Sequence, residues 1–218
     1  FRRRAGPHPS HVVIRLLGTR MTMRQVADGL WFCLDEFSSR ENNRIANYLG
    51  SVSGAGLDRQ LDQDEFHFRQ LMEDGTAVKG RLEAACGTPV WGGEGQVTGP
   101  AVPAYLQTLT ERADLLVRSS IDTLHAGFSS IYVDLYEEGG SFVPHTDRPI
   151  YGPYVLGMSF GVGSCEIVFS SADSEYRLTL PPRSVYCFGP PLRNEPWVHE
   201  VVGVTGRRFG VTFRTEAP

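Results

Sequence analysis

The sequence predicts an α+β protein, with helices first and an all-β sandwich or jelly roll after them. Three observations carry this. Segments before residue 128 show helical spacing and capping signals. After residue 128 the chain turns into short β-branched and aromatic runs. Gly, Pro, Ser or Asp separates those runs at turn spacing. With 218 residues, 41% hydrophobic and 21% charged, the chain has globular composition and suits one large domain, or one domain with an appendage.

The first part is read in order. The Arg-rich "FRRRAGPHPSH" reads as an extension or linker over residues 1–20. "HVVIRLLG" (11–18) fits a strand or a short helix, and "LWFCLDEF" (30–37) a strand or loop. "SSRENNRIANYLG" has helix signals at both ends: Ser38 with Glu41 forms a capping box, and Gly50 is a stop. Ile45, Tyr48 and Leu49 give it one apolar stripe. "DQDEFHFRQLMEDG" (62–75) repeats the plan weakly, with Asp62, Glu65 and a terminal Gly75. "PAYLQTLTERADLLVRSSIDTLHAG" (103–127) is the strongest helical region, with Pro103 at a start position and Leu106, Leu109, Leu116 and Val117 at helical spacing. Between these two, "GTPVWGGEGQVTGP" (87–100) holds five glycines and two prolines and reads as a flexible loop or hairpin outside the core.

The second part reads as seven strands: "SSIYVDLY", "YVLGMSFGVG", "CEIVFSS", "EYRLTL", "SVYCFG", "WVHEVVG" and "RRFGVTFR". The expected organisation is an extension over 1–20 and one domain over 21–218. That domain divides into a helical and lid region (21–127) and a β core (128–218).

Bulk properties narrow the function. A net charge of −4 is no sign of a surface coated for nucleic acid. Lys79 is the one lysine among 21 basic side chains; the others are arginine. Cysteines 33, 86, 165 and 187 form no close pair, which argues for reduced, buried thiols in an intracellular protein of cytoplasm, nucleus or organelle. No apolar run approaches the roughly 18 residues of a membrane helix. Oligomeric state is not legible.

Chemistry concentrates in "SFVPHTDRPIYGP" (141–153). His145 and Asp147 stand two apart, so in a strand both point to one side. Alone the pair is weak: the chain has six His, and a stable metal site needs a third ligand. His199, in "PWVHEVVG", is the other histidine of the β half, and two His with one carboxylate is the facial set of non-heme Fe(II) oxygenases. As a single residue it also fits a satisfied strand histidine. In "RFGVTFR", Arg208, Gly210, Thr212 and Arg214 face one way, and Phe209, Val211 and Phe213 the other. If the polar face points inward, its two guanidiniums require anions, and a dicarboxylate supplies one at each end. The other reading is an edge strand with its arginines in solvent. "IYVDLYEEGG" has the same logic, with Tyr132, Asp134 and Tyr136 on one face.

Taken together, these residues resemble the AlkB-like family of Fe(II)/2-oxoglutarate dioxygenases. The resemblance rests on Asp134-x-Tyr136 with Gly139, His145-x-Asp147, His199, and Arg208 with Arg214 inside "RFGVTFR". It covers about 128–216 well. A looser likeness reaches back to "LWFCLDEFSS" and "GPAVPAYLQTL". The resemblance implies a double-stranded β-helix (jelly-roll) core preceded by N-terminal helices. It implies Fe(II) on His145, Asp147 and His199, with 2-oxoglutarate and O2 as cosubstrates. Arg214 would take the 1-carboxylate, and Arg208 with Tyr136 the 5-carboxylate, with Asp134 beside them. The implied reaction couples decarboxylation of 2-oxoglutarate to hydroxylation of a substrate C–H, so that a hydroxylated N-methyl group leaves as formaldehyde. Asp134 stands where the family often has Asn. Gly210 replaces a small polar residue, which predicts weaker cosubstrate affinity. The Gly-rich segment 87–100 lacks the aromatic pattern expected of a nucleotide-recognition lid and holds Trp91 as its one aromatic.

Three functions follow as expectations. The first is oxidative demethylation of alkylated nucleic-acid bases, with Arg148, Tyr151, Trp91, Trp197 and Arg193 as candidate substrate contacts. The second is oxygenation of protein side chains or a small metabolite. The third is a non-catalytic β-sandwich binding module.

Overall fold

Strands that read as buried on both faces build the centre of the protein. The computed structural model describes residues 22–55, 66–73, 76–91 and 95–218. The expected segment 11–18, and Asp62, Glu65 and Gly75, lie outside them. The elements are β1 (Arg24–Ala27), β2 (Leu30–Cys33), α1 (Ser39–Ala55), β3 (Arg69–Glu73), β4 (Thr76–Gly87), β5 (Val90–Trp91), β6 (Gln96–Val97) and α2 (Ala104–Ser120). They continue as β7 (Ser130–Tyr136), β8 (Phe142–His145), β9 (Tyr151–Gly161), β10 (Cys165–Ser170), β11 (Glu175–Leu180), β12 (Val185–Phe188), β13 (Val198–Val202) and β14 (Arg208–Glu216).

Two antiparallel sheets face each other. The larger runs β1-β2-β12-β9-β14-β7-β4-β3, and the smaller β11-β10-β13-β8. All seven expected strands of the second half form. The central strands of the large sheet have two apolar duties, which explains their continuous burial. On β7, β9 and β14, Ile131, Val133, Leu156, Phe160, Val211 and Phe213 pack under the helices with Ile45, Leu49, Leu106 and Leu116. The alternate residues face the small sheet, where Tyr136, Val155, Tyr186 and Phe188 meet Ile167, Phe169 and Val201. Leu and Phe burial of this kind contributes about 1.5–3 kcal/mol per side chain.

The first helix starts as expected. Ser38 Oγ accepts the Glu41 N–H at 3.2 Å, and Glu41 Oε2 accepts the Ser38 N–H at 2.8 Å. Gly50 is not its stop: the helix continues through it to Ala55, with Gly50 passing beside the Phe209 ring. The second helix ends at Ser120, seven residues short of the expected end. There Asp114 Oδ1 accepts the Phe128 N–H at 2.8 Å and Arg118 Nε donates to the His125 carbonyl, fastening the returning chain.

The weakly helical 62–75 is overturned in its described part. Arg69–Glu73 is a strand, paired antiparallel with β4. Sheet pairing and burial of Phe68 against Phe209 outweigh a marginal helix pattern. The Gly-rich 87–100 holds the short β5–β6 hairpin. It is not wholly outside the core, since Val90 is buried beside Tyr132 and Tyr151. No helix among the described residues is long and apolar enough to cross a membrane.

Candidate metal centre and its pocket

Strand register brings the two histidines together. His145 on β8 stands directly opposite His199 on β13, and their rings lie 4.2 Å apart. Asp147 reaches the same point, so that ligand atoms of all three lie within 4.8 Å of one another. The expected strand spacing of His145 and Asp147 is not the reason, because β8 ends at His145. Arg193 shapes the loop instead. Its guanidinium donates to the carbonyls of Asp147 (3.2 Å), Arg148 (2.9 Å) and Tyr151 (3.3 Å). Arg193 is therefore buried scaffolding of this loop.

The electrostatics suit a cation. His145 Nδ1 donates to the Val143 carbonyl at 2.9 Å, which leaves Nε2 unprotonated. Burial lowers the His145 pKa and drives that of His199 down to about 3, so both rings are neutral near pH 7. Burial opposes the charge on Asp147, but Arg214, His199 and Arg193 outweigh it and hold the carboxyl well below the usual range. Asp147 Oδ1 accepts Arg214 Nε at 3.1 Å and Nη2 at 2.9 Å. Among the described residues Asp147 Oδ2 is buried with no hydrogen-bond partner; it lies 3.9 Å from His199 Nε2 and 4.0 Å from Arg193 Nε. An orphaned carboxylate oxygen is costly. A divalent metal bound by Oδ2 and two neutral imidazoles satisfies it, and two nitrogens with one oxygen on one side fit Fe(II).

The triad opens on a cavity lined by both β14 arginines, Asp134, Tyr136 and Thr212, with apolar walls that include Val155, Ile167 and Phe188. The inward reading of β14 is thus the observed one, and the edge-strand alternative fails. Arg208 is 2% exposed. Its Nε donates to Ser159 Oγ at 3.1 Å, yet among the described residues no carboxylate forms an ion pair with it. Its guanidinium lies over the Tyr136 ring at 5.4 Å. Burial pushes the Tyr136 hydroxyl well up, which keeps it a neutral donor. Arg214 Nη1 donates to Thr212 Oγ1 at 2.9 Å. Asp134 lines the same cavity, but its Oδ1 already accepts Arg81 Nε at 2.9 Å and is 2.8 Å from Arg81 Nη2. Sequence reasoning missed Arg81. Its alternation with Glu83 on β4 was a weak signal, and nothing local says that this side faces inward.

No family model matches the chain, and no curated protein does. Solved structures do match. OsALKBH1 superposes over 89% of this chain and 100% of its own, with TM-score 0.64 and 14% identity. A prolyl-4-hydroxylase of Pseudomonas putida superposes over 86% and 92%, with TM-score 0.51 and 13% identity. The chain shares the double-stranded β-helix (jelly-roll) fold of these two structures.

Within this fold the expected substrate residues separate. The Arg148 guanidinium is exposed and lies 4.5 Å over the half-buried Trp91 ring. Trp197 is half-buried and stacks on Tyr176 at 5.4 Å, while its carbonyl accepts the Thr146 hydroxyl at 3.1 Å. Tyr151 is buried. Its hydroxyl pairs with that of Tyr132 at 2.6 Å, and both rings flank Arg214. Tyr132 in turn accepts the Trp91 N–H at 2.7 Å, which ties the hairpin to the β core.

Proposed function

We propose that this protein is an Fe(II)/2-oxoglutarate-dependent dioxygenase of AlkB type that oxidatively removes alkyl groups, methyl above all, from nucleic-acid bases. One observation carries the oxygenase reading: Arg208, a buried guanidinium without a carboxylate partner among the described residues, shares a cavity with His145 and His199, beside which the inner oxygen of Asp147 has no hydrogen-bond partner among those residues. The cavity therefore suits a metal at one end and an anion at the other. Bound Fe(II), with O2 and 2-oxoglutarate, supplies the oxidising power for C–H hydroxylation.

The chain's own residues do the rest. His145, Asp147 and His199 would hold the metal. Arg214 holds the Asp147 carboxylate through Oδ1, which directs Oδ2 to the metal side, and its remaining N–H groups serve the 1-carboxylate. Arg208 and the neutral Tyr136 hydroxyl receive the 5-carboxylate. Val155, Ile167 and Phe188 exclude water from the chain between.

The base substrate rests on aromatic pairs beside the metal loop. Arg148 over Trp91 and Tyr176 with Trp197 offer a cation and stacking faces. A second reading, hydroxylation of a protein side chain, is favoured by the likeness to a prolyl-4-hydroxylase and by the net charge of −4. The test is succinate and formaldehyde release from 2-oxoglutarate and Fe(II) over methylated DNA, RNA and peptide pools. Turnover with methylated oligonucleotides alone supports the first reading. Turnover with peptides alone transfers the proposal to the second, and no succinate with any pool refutes both.

A further inference from the structure

Arg81 touches both ends of the site without lining it. Strand β4 lies beside β7 with Arg81 opposite Tyr136 and Glu83 opposite Asp134. Arg81 is 3% exposed and grips Asp134 Oδ1 through Nε and Nη2, with Glu83 Oε2 at 3.3 Å from Nη2. The same guanidinium lies 3.4 Å over the Phe142 ring. Phe142 in turn stacks on the His145 ring at 3.9 Å and 25°.

Asp134 is a puzzle without this contact. It places a carboxylate on the wall of a cavity whose uncommitted cation is Arg208. Left unpaired, it would repel an incoming dicarboxylate and compete for Arg208. Arg81 takes both charge-assisted bonds of Asp134 Oδ1 from the far side, and Glu83 helps to hold Arg81 in place. Arg208 therefore remains available.

We infer that Arg81 is a positioning residue with two effects. It neutralises Asp134 so that the cavity admits a dicarboxylate, and it fixes the Phe142–His145 stack at the metal end. The inference rests on the reading of the cavity as a 2-oxoglutarate site.

The experiment compares wild type, Arg81→Gln, Asp134→Asn and the double variant. Co(II) binding alone is measured by calorimetry, then 2-oxoglutarate binding to the Co(II)-loaded proteins. Arg81→Gln is expected to weaken 2-oxoglutarate binding at least tenfold. Asp134→Asn binds it at least as tightly as wild type. The double variant returns to within threefold of wild type, because an amide needs no counter-charge. Its Co(II) affinity stays severalfold lower, because Phe142 has lost its cation. Rescue of one ligand without the other is not the outcome of general destabilisation. Arg81→Gln binding 2-oxoglutarate like wild type overturns the inference, as does a double variant as weak as Arg81→Gln. If Arg81→Gln does not fold, the double variant against Asp134→Asn decides: agreement within threefold supports the inference, and a tenfold loss overturns it. Wild type that binds Co(II) but not 2-oxoglutarate refutes the cosubstrate reading itself, and the inference falls with it.

Discussion

Replacing Arg208 with Met separates what the guanidinium does for the fold from what it does for a ligand. In the ligand-free protein Arg208 makes one side-chain hydrogen bond, to Ser159, and has no carboxylate partner among the described residues. Losing that bond costs about 0.5–1.5 kcal/mol, with a similar penalty for the stranded Ser159 hydroxyl. Against this, Met removes a buried charge whose desolvation costs several kcal/mol. Ligand-free Arg208→Met is therefore at least as stable as wild type. With a dicarboxylate present the balance reverses. Removing one partner of a buried, hydrogen-bonded charge pair costs about 2–5 kcal/mol. At 1.4 kcal/mol per tenfold, that is roughly 30-fold to several thousand-fold in 2-oxoglutarate affinity. The assay is thermal unfolding of Co(II)-loaded protein across 2-oxoglutarate concentrations, since a ligand raises Tm according to its concentration over Kd. Wild type should rise and the variant should not. A variant that unfolds earlier without ligand yet shows the wild-type rise would refute the reasoning.

Other perturbations address other parts of the site. Gly157→Ala places a Cβ 2.3 Å from the Tyr186 ring, which lines the cavity. It should cost about 1–3 kcal/mol of stability and weaken 2-oxoglutarate binding while Co(II) affinity, measured by calorimetry, holds. Arg193→Gln removes donors to three carbonyls of the Asp147 loop. Co(II) affinity should fall about 10- to 100-fold, as for other groups that orient metal ligands, and an unchanged affinity would deny Arg193 that role. Ser38→Ala breaks the capping box far from the cavity, so denaturant unfolding should show a loss of about 1 kcal/mol with both affinities intact.

The β half was legible because its strands are short β-branched and aromatic runs punctuated by turns, the central ones, β7, β9, β12 and β14, buried on both faces. The alternation in "RFGVTFR" fixed which side of β14 carries charge, and the sandwich of helices and small sheet realises it. The metal set was legible as residue types, but not for the reason of strand spacing. His145 and His199 meet through cross-strand register, and Asp147 through a loop that Arg193 holds. Such long-range geometry leaves no local mark. The first half was harder. Strand β4 hides Arg81 and Glu83 among residues with no strong period, and its sense depends on Asp134, some fifty positions later. Gly50 misled because a glycine that allows close approach to Phe209 looks, in sequence, like one that ends a helix.

The two-sided strands also divide labour by position. On β14, Phe209, Val211 and Phe213 answer to the helices, and Arg208, Thr212 and Arg214 to whatever enters the cavity. Ile131 and Val133 are separated from Asp134 and Tyr136 on β7 in the same way. Neighbouring codons thus serve different constraints. A library randomised at alternate positions of these two strands would sample new ligand chemistries on a largely unaltered scaffold, whereas one shifted by a single residue would sample mainly unfolded chains.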